Sequence, residues 1–224
     1  LLGTTDYDRQ RDYERRRDEL EAFITGKTLL DFGCGRGDFL INTNHMTKQS
    51  TGIELEERYV ELLNSKNIDC FLDIAAIDNS SVDVCTLFHV LEHLPDPITI
   101  LAQLKSKLTD KGLIYIEVPH ANDFLLTKLN CESFKNFTLW SQHLILHTRD
   151  SLRKLLEYVG FNDVIIKGEQ RYNLANHLTW LTKGKPGGHK TPLSIIENKV
   201  LYDAYKNALS SIDSTDTLVA VAKA

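Results

Sequence analysis

Residues 29–37 read Leu-Leu-Asp-Phe-Gly-Cys-Gly-Arg-Gly, an apolar strand that runs into an acid at Asp31 and then glycine at every second position. Glycine accepts positive φ without steric cost, so the strand can turn sharply into a helix starting near Asp38 and leave its amides open to a nucleotide-like ligand. A ligand-free strand-to-helix turn could use the same glycines. About 20 residues further on, where α/β nucleotide-binding folds place an acid on ribose hydroxyls, Thr51, Gly52 and Ile53 form a short strand ending in Glu54. The two elements together point to a cofactor site.

Strand-like runs recur at 28–32, 51–54, 68–72, 82–88 and 113–118, alternating with helical patterns at 38–44, 56–65 and 98–108. That alternation predicts a parallel sheet covered on both faces. Asp96 and Pro97 suit the start of the 98–108 helix, and Asp110, Lys111 and Gly112 its closing turn. A charged helix over 6–24, with Tyr7, Tyr13, Leu20 and Phe23 as its apolar points, is expected to pack against the sheet edge. Thr148 and Gly160 bracket a further helix, followed by a strand at 163–167, and the last strand is expected at 217–222. The interval 169–216 is too long for an ordinary connection. It predicts helices at 174–181 and 195–209 around the glycine- and lysine-rich stretch 183–190.

With 224 residues the chain suits one α/β domain, 1–224, carrying an N-terminal helix within 1–25 and an inserted cap at 169–216. Net charge is −5, from 26 basic and 31 acidic residues, which disfavours nucleic acid as a partner. Cys34, Cys70, Cys85 and Cys131 show no CxxC spacing and read as reduced, small hydrophobes. No apolar run is long enough to span a bilayer, and a charged N-terminus is unlike a signal peptide, so a cytoplasmic protein is expected. The missing initiator Met suggests trimmed ends.

These residues resemble the class I S-adenosylmethionine-dependent methyltransferases, in the small-molecule branch (types 11 and 23) that includes ubiquinone-type and sugar methyltransferases. The resemblance spans roughly 25–168 plus the last strand. It implies a Rossmann-like seven-stranded sheet, mostly parallel, with the final strand antiparallel, helices on both faces and a helical insertion before that strand. It also implies that Asp31, Gly33, Cys34, Gly35, Gly37 and Asp38 receive the methionine end of S-adenosylmethionine, with Glu54 and Leu55 at the ribose. Asp73 and Ile74 then meet the adenine, and the run from Phe88 through His89 to His93 matches the signature after strand four. S-adenosyl-L-homocysteine is the implied product, and the crevice lies beyond the strand ends at Gly33, Glu54, Asp73, Phe88 and Pro119.

Methyl transfer to a hydroxyl needs alignment and a proton acceptor, for which histidine is suited near neutral pH. His120, after strand five, and His143 are the candidate catalytic bases, while His93 reads as structural or cofactor-side. Asn122, His147, Arg171, Tyr172, Asn176, His177 and Lys185 are candidate acceptor-binding residues, and cations beside flexible backbone suit a phosphorylated acceptor. The pairs His89/His93 and His143/His147 would each share a helix face, but neither is part of HExxH and no third ligand cluster accompanies them, so no metal is expected.

A weaker similarity to methyltransferases of bacterial surface-polysaccharide (capsule) pathways makes a small phosphorylated or nucleotide-linked sugar the first expected acceptor, through O-methylation. The alternatives are N- or C-methylation of another small metabolite of quinone or lipid type, and a catalytically inactive S-adenosylmethionine-binding interaction protein. A nicotinamide-dependent dehydrogenase is the third reading, but GxGxxG spacing is absent. The inserted segment is also a candidate homodimer surface.

Overall fold

The computed structural model describes residues 6–224. Seven strands form one sheet: β1 (Thr28–Phe32), β2 (Gln49–Ile53), β3 (Asp69–Phe71), β4 (Val82–Phe88), β5 (Leu108–Pro119), β6 (Asn162–Glu169) and β7 (Thr217–Lys223). Their order across the sheet is β3-β2-β1-β4-β5-β7-β6, parallel from β3 to β5, with β7 antiparallel to both neighbours.

Adjacent Leu29 and Leu30 show why β1 is central: both are fully buried, on opposite faces of the sheet. Leu30 faces the layer built with α4 (Pro97–Lys107) and α6 (Arg149–Val159), through Leu101, Leu104, Leu152 and Leu156. Leu29 faces the layer that holds α1 (Asp6–Ile24), α2 (Asp38–Thr43) and α3 (Glu57–Asn64), through Leu20, Ile24, Phe39, Leu40 and Leu63. A strand buried on both sides needs no alternation of apolar and polar residues. A smaller cluster of Leu125, Leu126, Phe134 and Trp180 joins α5 (Glu132–Thr138) to α7 (Leu174–Lys183) beyond the sheet.

Several elements differ from expectation. Leu108 pairs with Val82 and Leu113 with Val84, so 109–112 bulge inside β5 instead of closing a helix at Asp110, Lys111 and Gly112. The helix expected at 195–209 is α8 (Lys199–Ser211), because Asn198 caps it by accepting from Leu201 N at 3.0 Å, while Pro192–Ile196 is a separate tight turn. Residues 120–147 also hold a wide turn at Phe124–Lys128 and α5. Asp123 starts that turn by accepting from Leu125 N and Leu126 N. On α1, Leu20 and Ile24 are buried whereas Phe23 is exposed; the Tyr7 side chain lies outside the described residues.

Candidate active site

The glycine loop is built as the sequence requires. Gly33, Gly35 and Gly37 have φ of 73°, 55° and 73°. A Cβ on Gly33 would stand 2.5 Å from Val90 Cγ2, so the loop presses directly on the segment that follows β4. Gly33 N and Cys34 N donate to Ile53 O, tying the loop to the end of β2. Just past that end, Glu54 accepts from Gly35 N at 2.7 Å through Oε2 and from Leu55 N and Glu56 N through Oε1. The carboxylate is thus held at the mouth of the loop, with Leu55 exposed beside it. This cradle of open glycine backbone and oriented acid fits the ribose and methionine portions of S-adenosylmethionine.

The other residues expected beside the cofactor divide by depth. Asp31 lies under the loop, buried, and accepts from Thr86 Oγ1 at 2.7 Å; burial pushes its carboxyl up to about 7. It supports the loop from below. Cys34 packs with its Sγ 3.9 Å from Cys70 Sγ. Asp38 begins α2 and lies 3.8 Å from Arg9. Exposed Asp73 caps the turn Ile74–Ala76 by accepting from Ala75 N, while Ile74 is buried in the core. Phe88 packs edge-on against Phe39 and carries the Arg16 guanidinium 4.1 Å from its ring centre.

Beside this cradle, beyond β4 and β5, lies a cavity of about 300 Å³ lined by His89, Glu92, Pro119, His120, Trp140 and His143 on one part and by Leu126, Phe134, Phe137, Arg171 and Tyr172 on another. Both candidate bases therefore reach it. His120 is fully buried, and its Nδ1 lies 3.0 Å from Thr215 O. A carbonyl only accepts, so Nδ1 carries the proton and Nε2 is bare, 3.9 Å from Asp213. His143 Nδ1 donates to Thr138 O at 2.7 Å in the same way. Burial lowers the pKa of both rings, His120 and His143, favouring neutral imidazole.

Arg171 and Tyr172 line the cavity, but five other expected acceptor-binding residues do not. Asn122 immediately precedes the turn that Asp123 opens, and its side chain hydrogen-bonds Asp213. His147 is buried, with Nδ1 3.3 Å from Ser151 Oγ at the start of α6. Asn176 and His177 are buried on α7, where His177 Nδ1 is 2.8 Å from Tyr205 hydroxyl and burial lowers its pKa to about 4. Lys185 is exposed past the end of α7. Arg171 is itself held by Asp12 through Nε at 3.1 Å and a second contact through Nη2, and it donates to His89 Nε2 at 2.7 Å. Short sequence spacing had grouped these residues. The helical turn of α7 and its packing separate them.

Three features were not read from the sequence. Arg15 and Arg16 reach from α1 to the fully buried Glu117 on β5, at 2.8 and 2.7 Å, so α1 fastens down the site instead of only covering an edge. Trp140 stands edge-on to both His93 and His143. Glu92 is fully buried, and its Oε1, a nitrogen of His93 and a nitrogen of His143 form one cluster. The expectation that no third ligand cluster accompanies the histidine pairs is thereby corrected. Neither pair lies on a helix face: His89 has φ 57°, His93 ends the tight turn Leu91–His93, and His143 lies in irregular chain. Folding joins one histidine of each pair with the acid between His89 and His93.

A seven-stranded sheet in this order, with a glycine cradle after β1 and an acid after β2, defines a nucleotide-cofactor-binding α/β fold. Residues 6–165 match the family model of a methyltransferase domain, and the chain belongs to that family, the class I S-adenosylmethionine-dependent methyltransferases. Among curated relatives, a ubiquinone biosynthesis O-methyltransferase of Thiobacillus denitrificans is 27% identical over 51% of this chain and 54% of its own length. One of Pasteurella multocida with the same name is 30% identical over 41% and 46%. The chain spans about half the length of the curated relatives it matches. Among solved structures, an S-adenosylmethionine-dependent methyltransferase of Archaeoglobus fulgidus superposes with TM-score 0.65 at 21% identity, covering 96% of this chain and 94% of that one. Phosphoethanolamine N-methyltransferase 2 of Haemonchus contortus gives 0.62 at 15%, covering 94% and 52%. Among the described residues, no helix is long and apolar enough to cross a membrane.

Proposed function

We propose that this protein methylates a hydroxyl of a small acceptor held in the cavity beside the glycine cradle. The carrying observation is adjacency: the Gly33 backbone packs against Val90, and His89 and Glu92 on either side of Val90 line the cavity. When bound, S-adenosylmethionine supplies an electrophilic methyl carbon whose bond to sulfur breaks with the electron pair left on a neutral thioether. The chain's part is to hold the two reactants, exclude water and take the acceptor's proton. His120, with a bare Nε2, can accept that proton.

The lining favours an acceptor with an aromatic or apolar body. Phe134, Phe137, Trp140, Leu126 and Pro119 face the cavity, whereas Lys185 does not and Arg171 is engaged with Asp12. A hydroxylated ring of quinone-precursor type fits these walls, and the relatives named for ubiquinone biosynthesis support it. The surface-polysaccharide reading, with a phosphorylated sugar acceptor, rests on a second cavity of about 490 Å³ lined by Arg11, Arg15, Arg171, Lys199 and Lys206 together with Asp12, Glu169 and Glu197. Labelled S-adenosylmethionine incubated with catechols, hydroxylated quinone precursors, nucleotide sugars and sugar phosphates tests the choice. Turnover restricted to sugar phosphates would overturn the aromatic reading. Cofactor binding with no turnover on any of them would instead favour an interaction protein.

A further inference from the structure

The geometry points to a divalent-metal site formed by Glu92, His93 and His143 at the wall of the acceptor cavity. One ligand atom from each lies within 4.8 Å of the others. The two histidines are set as metal ligands are. His93 Nδ1 donates to Gln142 O at 2.7 Å and His143 Nδ1 to Thr138 O at 2.7 Å, so in the neutral tautomer of each ring Nε2 keeps its lone pair for a ligand. Outer hydrogen bonds of this kind fix the tautomer and aim the ligating nitrogen. The backbone closes the arrangement further, since Leu144 N donates to Glu92 O at 2.8 Å and ties the loop bearing His143 to the turn bearing Glu92 and His93.

Glu92 provides the independent observation. Its side chain is fully buried, and neither carboxylate oxygen accepts a hydrogen bond among the described residues. Arg171 can only donate to His89 Nε2, so His89 Nδ1 carries a proton; it faces Glu92 Oε1 at 3.4 Å, out of hydrogen-bond alignment. A buried carboxylate without hydrogen bonds is costly unless a cation meets it. The space between the Glu92 carboxylate and the two imidazoles is where that cation fits.

The donor set names the class of ion. Two imidazoles and one carboxylate, without thiolate, suit Zn²⁺, Fe²⁺, Co²⁺ or Mn²⁺ and leave coordination positions open. Ligand atoms around one ion at about 2.1 Å stand roughly 3 to 3.5 Å apart, so the 4.8 Å spread requires a modest contraction. Glu92 and His143 line the cavity, so the open positions face the acceptor. Resting on the O-methylation reading, the cation would bind the acceptor hydroxyl oxygen and lower its pKa. The proton would pass to His120 Nε2 or to water, and the freed oxygen lone pair would form the bond to the methyl carbon. His143 is then a ligand, leaving His120 as the base.

The full chain, stripped by EDTA and titrated with Co²⁺, should bind one equivalent with visible d–d absorption, and calorimetry with Zn²⁺ should give the same stoichiometry. Glu92→Gln and His143→Ala should each weaken Co²⁺ binding at least tenfold while S-adenosylmethionine affinity stays within twofold, which also shows that the variants fold. Chelation should lower methyl transfer at least tenfold, with recovery on adding metal back. Absent stoichiometric binding, binding unchanged in both variants, or turnover indifferent to chelation would overturn the proposal. Failure of the wild-type chain to bind S-adenosylmethionine would overturn the methyltransferase reading, and the Co²⁺ titration would still report on the metal site.

Discussion

Gly33 has no room for a side chain. At φ 73°, with Val90 Cγ2 2.5 Å from where a Cβ would lie, Gly33→Ala should strain the backbone and push Val90 toward the cavity. The expected cost is about 2 kcal/mol of stability, with weaker S-adenosylmethionine binding measured by calorimetry. Adding Val90→Ala should recover the packing part of that loss but not the part due to φ. Asp31, two positions earlier, makes a pH prediction. Its pKa is raised in the folded protein to about 7, from an ordinary value of 3.8, by burial first. Its stabilising contribution is therefore complete below about pH 4 and lost as pH rises through about 7, a change of about 4 kcal/mol. Urea midpoints of the cofactor-free protein should show a smaller decline from pH 5 to 8 in Asp31→Asn than in the parent chain; an unchanged slope would refute the assignment.

At the scale of elements, α1 is fastened by charge as well as by Leu20 and Ile24. Glu117 is fully buried and its pKa is lowered: burial opposes ionisation, and Arg16 and Arg15 more than offset it. Glu117→Ala removes the common partner of two arginines and should cost about 3 kcal/mol, seen as a lower thermal midpoint together with weaker cofactor binding. Dense charge and a few apolar points mark 6–24 as a surface helix, but nothing local shows that two of its arginines reach β5. The same limit explains 110–112, where turn-forming residues became a bulge because β5 continues to pair with Val82. It also explains α8, where the cap at Asn198 overrode the apolar run beginning at Ile195. β1 and the glycine loop were legible because their constraints are local.

For the molecule as a whole, the proposed function assigns acceptor choice to the chain beyond β5. Residues 120–147 and the segment between β6 and β7 supply the cavity walls through Phe134, Trp140, His143, Arg171 and Tyr172. Tyr172→Ala should raise the acceptor KM about tenfold, the order of 1.4 kcal/mol, whereas Lys185→Ala should leave it within twofold; steady-state kinetics with the best acceptor would check both. If Lys185→Ala proved the more damaging, the phosphorylated acceptor would regain ground.

The sequence alone determined the sheet type, the cofactor cradle and the methyltransferase family, because each depends on residues a few positions apart: an apolar strand, glycines able to take positive φ, an acid at the next strand end. Tertiary structure decided which histidines meet the cavity beyond β4 and β5, kept Lys185 and His177 out of it, and assembled Glu92, His93 and His143 from segments about fifty residues apart. The physical reason is range. Backbone preference and hydrophobic period act along the chain, while a buried carboxylate finds its partners only after the sheet and its loops have packed.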